Sequence, residues 1–180
     1  MYDDVMIDIE TLSTRPNATI VSIGAIKFQR EGAIKKLDEM DQFYVRVSRE
    51  SCEILGSRTD QETVEWWAKQ DYKVRYEALE NNTDRLNIKD ALTKLKDWIG
   101  KSTIVWGHGD DFDCVILSEA YKMCGQEPPW KFWNTRDTRT VYDLATFRLS
   151  DLSNEDMHHH PIHDCYKQIR GLKMSFAKLY

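Results

Sequence analysis

The sequence predicts an α/β fold in which a mixed β-sheet is flanked by helices. Three stretches typical of strands open the chain, and helical patterns follow them, interrupted by one more short apolar strand. Strands first, then helices around a later strand, is an order typical of a mixed sheet with helices packed on it. With 180 residues the chain is long enough for one domain with its own core, so we expect a single domain over residues 1–180.

The opening strands are apolar runs separated by polar or glycine-containing turns. They cover residues 5–10, 20–28 and 43–47. Short connections between successive strands predict an antiparallel meander. A fourth strand is expected at 102–106, directly before a Gly-His-Gly turn.

Four helices are expected in the rest of the chain. The clearest covers 87–99, because its apolar residues recur on one face and Gly100 follows as a stop signal. The other helical patterns lie at 59–70, 110–123 and 162–178. Residues 138–145 fit either a strand or a short helix, and the pattern does not decide between them.

Two carboxylates interrupt the first strand. Asp8 and Glu10 are two positions apart, so their side chains point to the same face. Burying neighbouring anions is costly unless a positive charge lies between them, and a divalent metal ion is the usual solution. The alternative is a half-exposed edge strand with polar residues facing water. Isoleucines on both sides of Asp8 and the apolar strands that follow favour the buried metal site.

Another candidate carboxylate follows the Gly-His-Gly turn. This turn lacks the third glycine of a dinucleotide fingerprint, and acidic residues follow it instead. Asp110 and Asp111 are expected to cap the next helix, where negative charge is favoured. Asp113 lies a turn further in, among apolar residues, and is positioned to face the sheet.

Histidines are concentrated near the end of the chain. Four of the five fall between residues 158 and 163. A zinc-binding tract and a solvated loop are two interpretations that composition alone allows. However, His159 and Asp164 also have an H-x-x-x-x-D spacing, with the acid at the start of a predicted helix and the histidine in the loop before it.

Together these motifs resemble those of the DEDDh 3′-5′ exonucleases of the RNase H-like superfamily. Asp8 with Glu10, Asp113 within GHGDDFD, and His159 with Asp164 occur in the family's order. Longer blocks are similar to the branch that contains phage exodeoxyribonuclease A and the mycobacterial polyadenylate-specific exoribonuclease. These blocks are DIETLSTRPNATIVSIGAIKF, TVEWWAKQ, VWGHGDDFDCVIL and NTRDTRTVYDLA. The resemblance covers nearly the whole chain and implies an RNase H-like fold, a five-stranded mixed sheet flanked by helices.

The resemblance also implies a metal-dependent 3′-5′ exonuclease. Such an enzyme hydrolyses single-stranded DNA or RNA from the 3′ end and releases nucleoside 5′-monophosphates. Asp8, Glu10, Asp113 and Asp164 would hold two Mg²⁺ or Mn²⁺ ions, for which hard oxygen ligands are suited. His159 would take the proton from the attacking water, since imidazole titrates near neutrality.

Two other kinds of protein remain as alternatives. One is a non-catalytic RNase H-like module that binds nucleic acid or a partner, and an intact set of four costly carboxylates argues against it. The other is a zinc protein organised by the histidine tract. Tightly bound stoichiometric zinc would favour the latter.

Five further residues are candidates for binding substrate. Trp66 or Trp67 could stack on a base, but neighbours on a helix point about 100° apart, so at most one is expected to do so and the other to be core. Arg136 and Arg139 could bind phosphate through bidentate geometry, or form surface ion pairs with nearby aspartates. His108 could approach the scissile phosphate or make a hydrogen bond that stabilises its turn.

Composition excludes several classes of protein. A net charge of −5 argues against coating long nucleic acid by electrostatics, though not against handling one strand end. All apolar segments are too short to cross a membrane, and no signal peptide is recognisable. The four cysteines form no C-x-x-C pair, so we expect reduced thiols and a cytoplasmic location. The relatives suggest a homodimer.

Overall fold

A computed structural model describes residues 4–100, 104–109, 111–152 and 159–180 of the protein. Within these residues the strands form one mixed sheet in the order β3-β2-β1-β4-β5. The strands are β1 (Asp4–Thr11), β2 (Ile20–Phe28), β3 (Gln42–Arg46), β4 (Val105–Gly107) and β5 (Thr135–Asp137). The first three are antiparallel to one another, while β4 runs parallel to β1 and β5 parallel to β4.

The helices follow the order expected from the sequence, with additional short elements. They are α1 (Arg49–Ile54), α2 (Gln61–Ala68), α3 (Tyr72–Arg75), α4 (Ile88–Ile99), α5 (Asp113–Met123), α6 (Thr138–Leu144) and α7 (Pro161–Leu179). A π-helical turn, Tyr76–Glu80, directly follows α3. At α4 the side chain of Asn87 accepts a hydrogen bond from the Lys89 N–H, and Gly100, with φ of +76°, ends the helix.

The central strand β1 is buried on both faces. Its odd-numbered residues, such as Ile7, pack into the core that contains α4 and α5, whereas Met6 packs into a second core formed largely by α7. Ile7 and Met6 have no exposed surface, so the edge-strand alternative is wrong. Because side chains alternate along a strand, Asp8 and Glu10 project from the same face as Met6, towards α7.

The mixed sheet and the antiparallel meander predicted from the sequence are confirmed, while several local expectations need correction. The fourth strand is Val105–Gly107 rather than 102–106, and residues 101–103 lie outside the described part of the chain. The undecided segment 138–145 is mostly helix α6. Asp137 caps its N-terminus, because the Asp137 side chain accepts hydrogen bonds from two backbone N–H groups. The strand before it, β5, was not predicted.

The start of α5 also differs from expectation. Asp110 lies outside the described residues, and Asp111 is exposed and does not cap the helix. The N-cap position is occupied by Phe112, whose backbone N–H donates to the carbonyl of Gly109 at 2.9 Å. A tight turn therefore precedes α5, and it places Asp113 in the first turn of the helix. Of the described helices, none has the length and apolar character needed to span a membrane.

Candidate active site

Helix α7 starts directly over a glycine of the sheet. Gly24 on β2 is paired with Asp8 on β1. A Cβ atom at Gly24 would lie 2.5 Å from the Cβ of Pro161 and 2.9 Å from its carbonyl carbon, so only glycine permits this approach. Proline is favoured in the first turn of a helix because its φ is already helical. The N-terminus of α7 is thus held beside the strand position that carries Asp8.

Carboxylates from three elements converge at this point. Asp8 and Glu10 come from β1, Asp113 from the first turn of α5 and Asp164 from the first turn of α7. The Oδ1 atom of Asp113 accepts a hydrogen bond from the N–H of Ile9 at 3.2 Å. This bond holds Asp113 beside β1 at the residue between Asp8 and Glu10. The charges of Asp113, Glu10 and Asp164 all act on Asp8. We refer to these four residues as the acidic cluster.

The acidic cluster is electrostatically unfavourable by itself. Burial raises the pKa of Asp8 well above its ordinary value, and the charges of Asp113, Glu10 and Asp164 raise it further. Burial likewise raises the pKa of Glu10, with further contributions from Asp164 and Asp113. Burial raises the pKa of Asp113 to about 7, although backbone N–H groups including that of Ile9 oppose this. A bound cation would relieve both the repulsion and the desolvation.

His159 lies at the rim of the acidic cluster. One ligand atom each from Glu10, His159 and Asp164 all lie within 4.8 Å of one another. The backbone of His159 has a φ of +57°, a conformation that costs a residue with a side chain on the order of 1–3 kcal/mol and is found preferentially at functional sites. Its ring lies edge-on to that of Trp66, with centroids 4.9 Å apart.

The neighbouring histidines have other contacts. His160 is the N-cap of α7, where its Nδ1 accepts a hydrogen bond from the Ile162 N–H at 3.3 Å. Its ring stacks on Tyr44 at 4.7 Å and meets the ring of His163 at 5.0 Å. Burial and the charge of His163 lower the pKa of His160 to about 4, so it is neutral near pH 7. His158 lies outside the described residues.

The two adjacent tryptophans have opposite environments. Trp67 is 1% exposed, and its Nε1 donates to the carbonyl of Thr11 at 2.9 Å, so it belongs to the core. Trp66 is 42% exposed and lines a cleft of about 700 Å³, as Glu10 and Phe112 also do. Trp66 is therefore the member of the pair that offers its ring to solvent.

The glycine turn after β4 brings one of the two predicted arginines close. His108 Nδ1 lies 2.8 Å from the hydroxyl of Thr138, as expected for a hydrogen bond that stabilises the turn. Gly109, with φ of +96°, donates its N–H to Asp137 at 2.9 Å. A Cβ at Gly109 would lie 2.9 Å from Nη1 of Arg139, so this guanidinium rests on the turn that leads to Asp113.

Arg136 is differently placed. Its Nη1 donates to the carbonyls of Trp133 and Thr135, at 2.8 Å and 2.7 Å. The guanidinium is thus bound within its own segment. Within the described ranges, neither Arg136 nor Arg139 takes part in an ion pair with a nearby aspartate, contrary to that alternative.

One residue of the site was missed by sequence reasoning. Gln168 is 4% exposed, and its Nε2 donates to Oδ1 of Asp8 at 2.9 Å. The available signal was its position on α7, four residues after Asp164, since residues four apart share a helix face. A glutamine at that position points to the acidic cluster only once α7 is known to lie against β1.

Comparison with known proteins identifies the family. Residues 3–176 match the model of the Rv2179c-like 3′-5′ exoribonuclease domain. The exodeoxyribonuclease of enterobacteria phage T4 is 28% identical over 206 aligned positions, which cover 98% of this chain and 89% of the phage protein.

Solved structures of Exonuclease I from E. coli have a similar fold. Its complex with a dA16 oligonucleotide matches this chain with a TM-score of 0.64 and 16% sequence identity, and the match covers 94% of this chain. The complex named ExoI/SSB-Ct has a TM-score of 0.67 at 16% identity and covers 99% of this chain. This chain spans only about 40% of the length of Exonuclease I. The chain therefore has an RNase H-like fold and belongs to the Rv2179c-like family of 3′-5′ exoribonuclease domains.

Proposed function

We propose that this chain is a metal-dependent 3′-5′ exonuclease that removes nucleoside 5′-monophosphates from the 3′ end of single-stranded DNA or RNA. The observation that carries the proposal is the convergence of four carboxylates from β1, α5 and α7 beside His159. The T4 relative is an exodeoxyribonuclease, and Exonuclease I binds dA16 and dT13 oligonucleotides, which supports a single-stranded substrate. We assign the activity to residues 1–180 as one domain.

The donor set fits hard divalent cations. Asp8, Glu10, Asp113 and Asp164 offer only carboxylate oxygens, which Mg²⁺ and Mn²⁺ prefer. The raised pKa values of Asp8, Glu10 and Asp113 indicate a site that is stabilised by positive charge. Two such ions, when bound, supply an activated water and offset negative charge on the attacking and leaving oxygens.

The side chains around the cluster would then bind the substrate and move protons. His159 takes the proton from the attacking water at its imidazole nitrogen, close to Glu10 and Asp164. Trp66, which lines the adjoining cleft, offers an exposed ring on which a terminal base can stack. Arg139, at the rim of the Gly109 turn, pairs with a phosphate of the strand. The hydrogen bond of His108 to Thr138 keeps that turn in place.

The proposal is tested with matched DNA and RNA oligonucleotides labelled at one end. A 3′-terminal label should be released first as a mononucleotide, and a 5′ label should give a ladder of shortening products. Activity should need Mg²⁺ or Mn²⁺ and disappear in EDTA. Asp8→Ala is the matched control and should lower kcat by several orders of magnitude while keeping the fold. Near-normal activity of that variant would overturn the mechanism.

A zinc-loaded site is the second candidate for the metal. It is favoured by the imidazole of His159 beside two carboxylates, a donor set that zinc also accepts, and by the zinc-bound form of the Exonuclease I complex with single-stranded DNA. Metal analysis of the purified protein distinguishes the two. Stoichiometric zinc that survives dialysis would identify zinc, whereas loss of metal on dialysis and activation by Mn²⁺ would identify the hard ions. We further propose a cytoplasmic homodimer.

A further inference from the structure

The side-chain amide of Gln168 connects two of the elements that build the acidic cluster. Its Nε2 donates to Oδ1 of Asp8 at 2.9 Å, from a position one helical turn beyond Asp164 on α7. Within the described ranges, the other oxygen of Asp8, Oδ2, accepts no hydrogen bond. The amide is neutral, so it orients the carboxylate without cancelling the charge that a cation needs.

The turn of α7 that carries Gln168 is held firmly. The hydroxyl of Tyr142 donates to the backbone carbonyl of Gln168 at 2.7 Å. One turn further, a Cβ at Gly171 would lie 2.9 Å from both the Phe147 ring and the Tyr142 hydroxyl. Helix α7 therefore packs closely against α6 and the residues that follow it. A side chain anchored in this way can fix the direction of its hydrogen-bond partner.

The amide oxygen of Gln168 is buried and accepts no hydrogen bond from any residue the structure describes. Buried polar atoms without a protein partner commonly bind an ordered water. Next to a carboxylate site that retains waters around a divalent ion, this oxygen can accept a hydrogen bond from one of them. The amide nitrogen therefore faces Asp8, and the amide oxygen beside it is left for a water.

We propose that Gln168 is a positioning residue that orients Asp8 so that Oδ2 is the oxygen presented to a divalent cation. The inference rests on the proposed function, because Asp8 needs orienting only if it is a metal ligand. Residues that orient metal ligands in this way typically change metal affinity by about 10–100-fold when they are replaced. The effect should be on metal binding first and on the chemical step only through it.

The test measures Mn²⁺ binding directly, by electron paramagnetic resonance of free Mn²⁺, and needs no turnover. Gln168→Leu and Gln168→Met remove the donor and keep similar volume, and both should raise the Kd for Mn²⁺ by about 10–100-fold. Leu172→Ala is the control, because it opens a cavity beside the same helix and keeps the hydrogen bond from Gln168 to Asp8. It should lower the melting temperature and leave the Kd unchanged.

The double variant Asp8→Asn with Gln168→Leu identifies the route of the effect. If Gln168 acts through Asp8, adding Gln168→Leu to Asp8→Asn should weaken Mn²⁺ binding less than twofold further. Parent-like Mn²⁺ affinity in both single Gln168 variants would overturn the inference and leave the proposed function intact. A parent that binds no Mn²⁺ would instead overturn the proposed function, and the inference with it.

Discussion

The ring of His159 lies edge-on against the exposed indole of Trp66, with centroids 4.9 Å apart and ring planes at 87°. His159 thus contacts α2 on one side and reaches Glu10 and Asp164 on the other. Its left-handed backbone conformation brings the loop into this position just before α7 begins. A ring held in this way has one defined position, which suits the general-base role proposed for it.

Replacing His159 should affect the chemical step. Loss of a general base costs about 10²–10⁴-fold in rate, so His159→Ala should lower kcat by that factor with little change in melting temperature. His160→Ala removes the cap of α7 and the stack on Tyr44, so it should cost about 1 kcal/mol of stability and keep kcat. The measurement compares kcat and melting temperature at several pH values for Ala variants at positions 158, 159, 160 and 163. If His159→Ala keeps its kcat while His163→Ala or His158→Ala loses most of it, the general base is that other histidine and not His159.

Replacing Trp66 should affect mainly substrate binding, and replacing Trp67 should affect mainly the stability of the fold. Trp66→Ala should weaken binding of a single-stranded oligonucleotide by about 1–3 kcal/mol, the value of one stacked base, and leave the melting temperature nearly unchanged. Trp67→Ala should cost about 3–5 kcal/mol of stability, because a buried ring and its hydrogen bond to Thr11 are lost. Fluorescence anisotropy with a labelled oligonucleotide and a thermal melt measure the two effects. Unchanged affinity in Trp66→Ala would show that its ring does not touch the substrate.

The arginine pair provides another matched comparison. Arg139→Ala should raise KM and reduce the salt dependence of oligonucleotide binding by the amount that one phosphate contact contributes. Arg136→Ala should do neither. The reason is that the Arg139 guanidinium rests on Gly109 at the site, while Arg136 is bound to the carbonyls of Trp133 and Thr135. Oligonucleotide binding measured between 50 and 200 mM salt, roughly the range over which such contacts weaken, tests this. Equal losses in both variants would contradict it.

Removing one charge from the acidic cluster should stabilise the metal-free protein. Asp113→Asn keeps an oxygen that can accept from the Ile9 N–H but lacks the charge, so in EDTA at pH 8 it should melt at or above the parent. The pKa of Asp113 is raised to about 7 in the folded parent. At pH values below 7 and above the ordinary pKa of an aspartate, the folded parent therefore binds more protons than the unfolded chain. Lowering the pH from 8 to 5 therefore stabilises the parent, and the advantage of the variant should shrink.

In Mn²⁺ the order should reverse, because the variant has lost a ligand. A hundredfold excess of metal over Kd stabilises the parent by about 2.7 kcal/mol for one site. Thermal melts of both proteins in EDTA and in Mn²⁺ provide the comparison. If Asp113→Asn melts well below the parent in EDTA at pH 8, Asp113 serves the turn before α5 and not a metal.

Adding one methyl group at Gly24 should push α7 away from the sheet. The new Cβ would meet Pro161, and overpacking of this kind costs about 1–3 kcal/mol. Because α7 carries Asp164, Gly24→Ala should also lower kcat. Ala91→Val overpacks the buried face of α4 instead, and it is the control for destabilisation alone. If both variants lose kcat in proportion to their loss of melting temperature, the contact at Gly24 is not specific to the site.

Local patterns predicted most of the architecture. Alternation along β1 placed Asp8 and Glu10 on one face, and the apolar stripe of α4 defined that helix almost to the residue. The three-residue strand β5 has no such pattern, since it is a strand only through its pairing with β4. Which tryptophan is buried depends on how α2 docks, a property of tertiary packing rather than of the local sequence.

The contacts that sequence reasoning missed join distant parts of the chain. Gln168 and Asp8 are 160 positions apart, and the local signal is limited to the helix face that Gln168 shares with Asp164. The fit of Pro161 on Gly24 is of the same kind, because it depends on the path of α7 across β2. Motifs located the charged residues, whereas packing decided which neutral residues support them.

The long sequence separation between β1 and α7 also determines when, during folding, the site can form. Asp8 and Glu10 lie on the first described strand, whereas Asp164 and Gln168 lie on the last described helix. The acidic cluster therefore requires a contact between distant parts of the chain, and such contacts form more slowly than the local turns of α4 or α5. The carboxylates come together only in a chain whose sheet and last helix have already packed on one another.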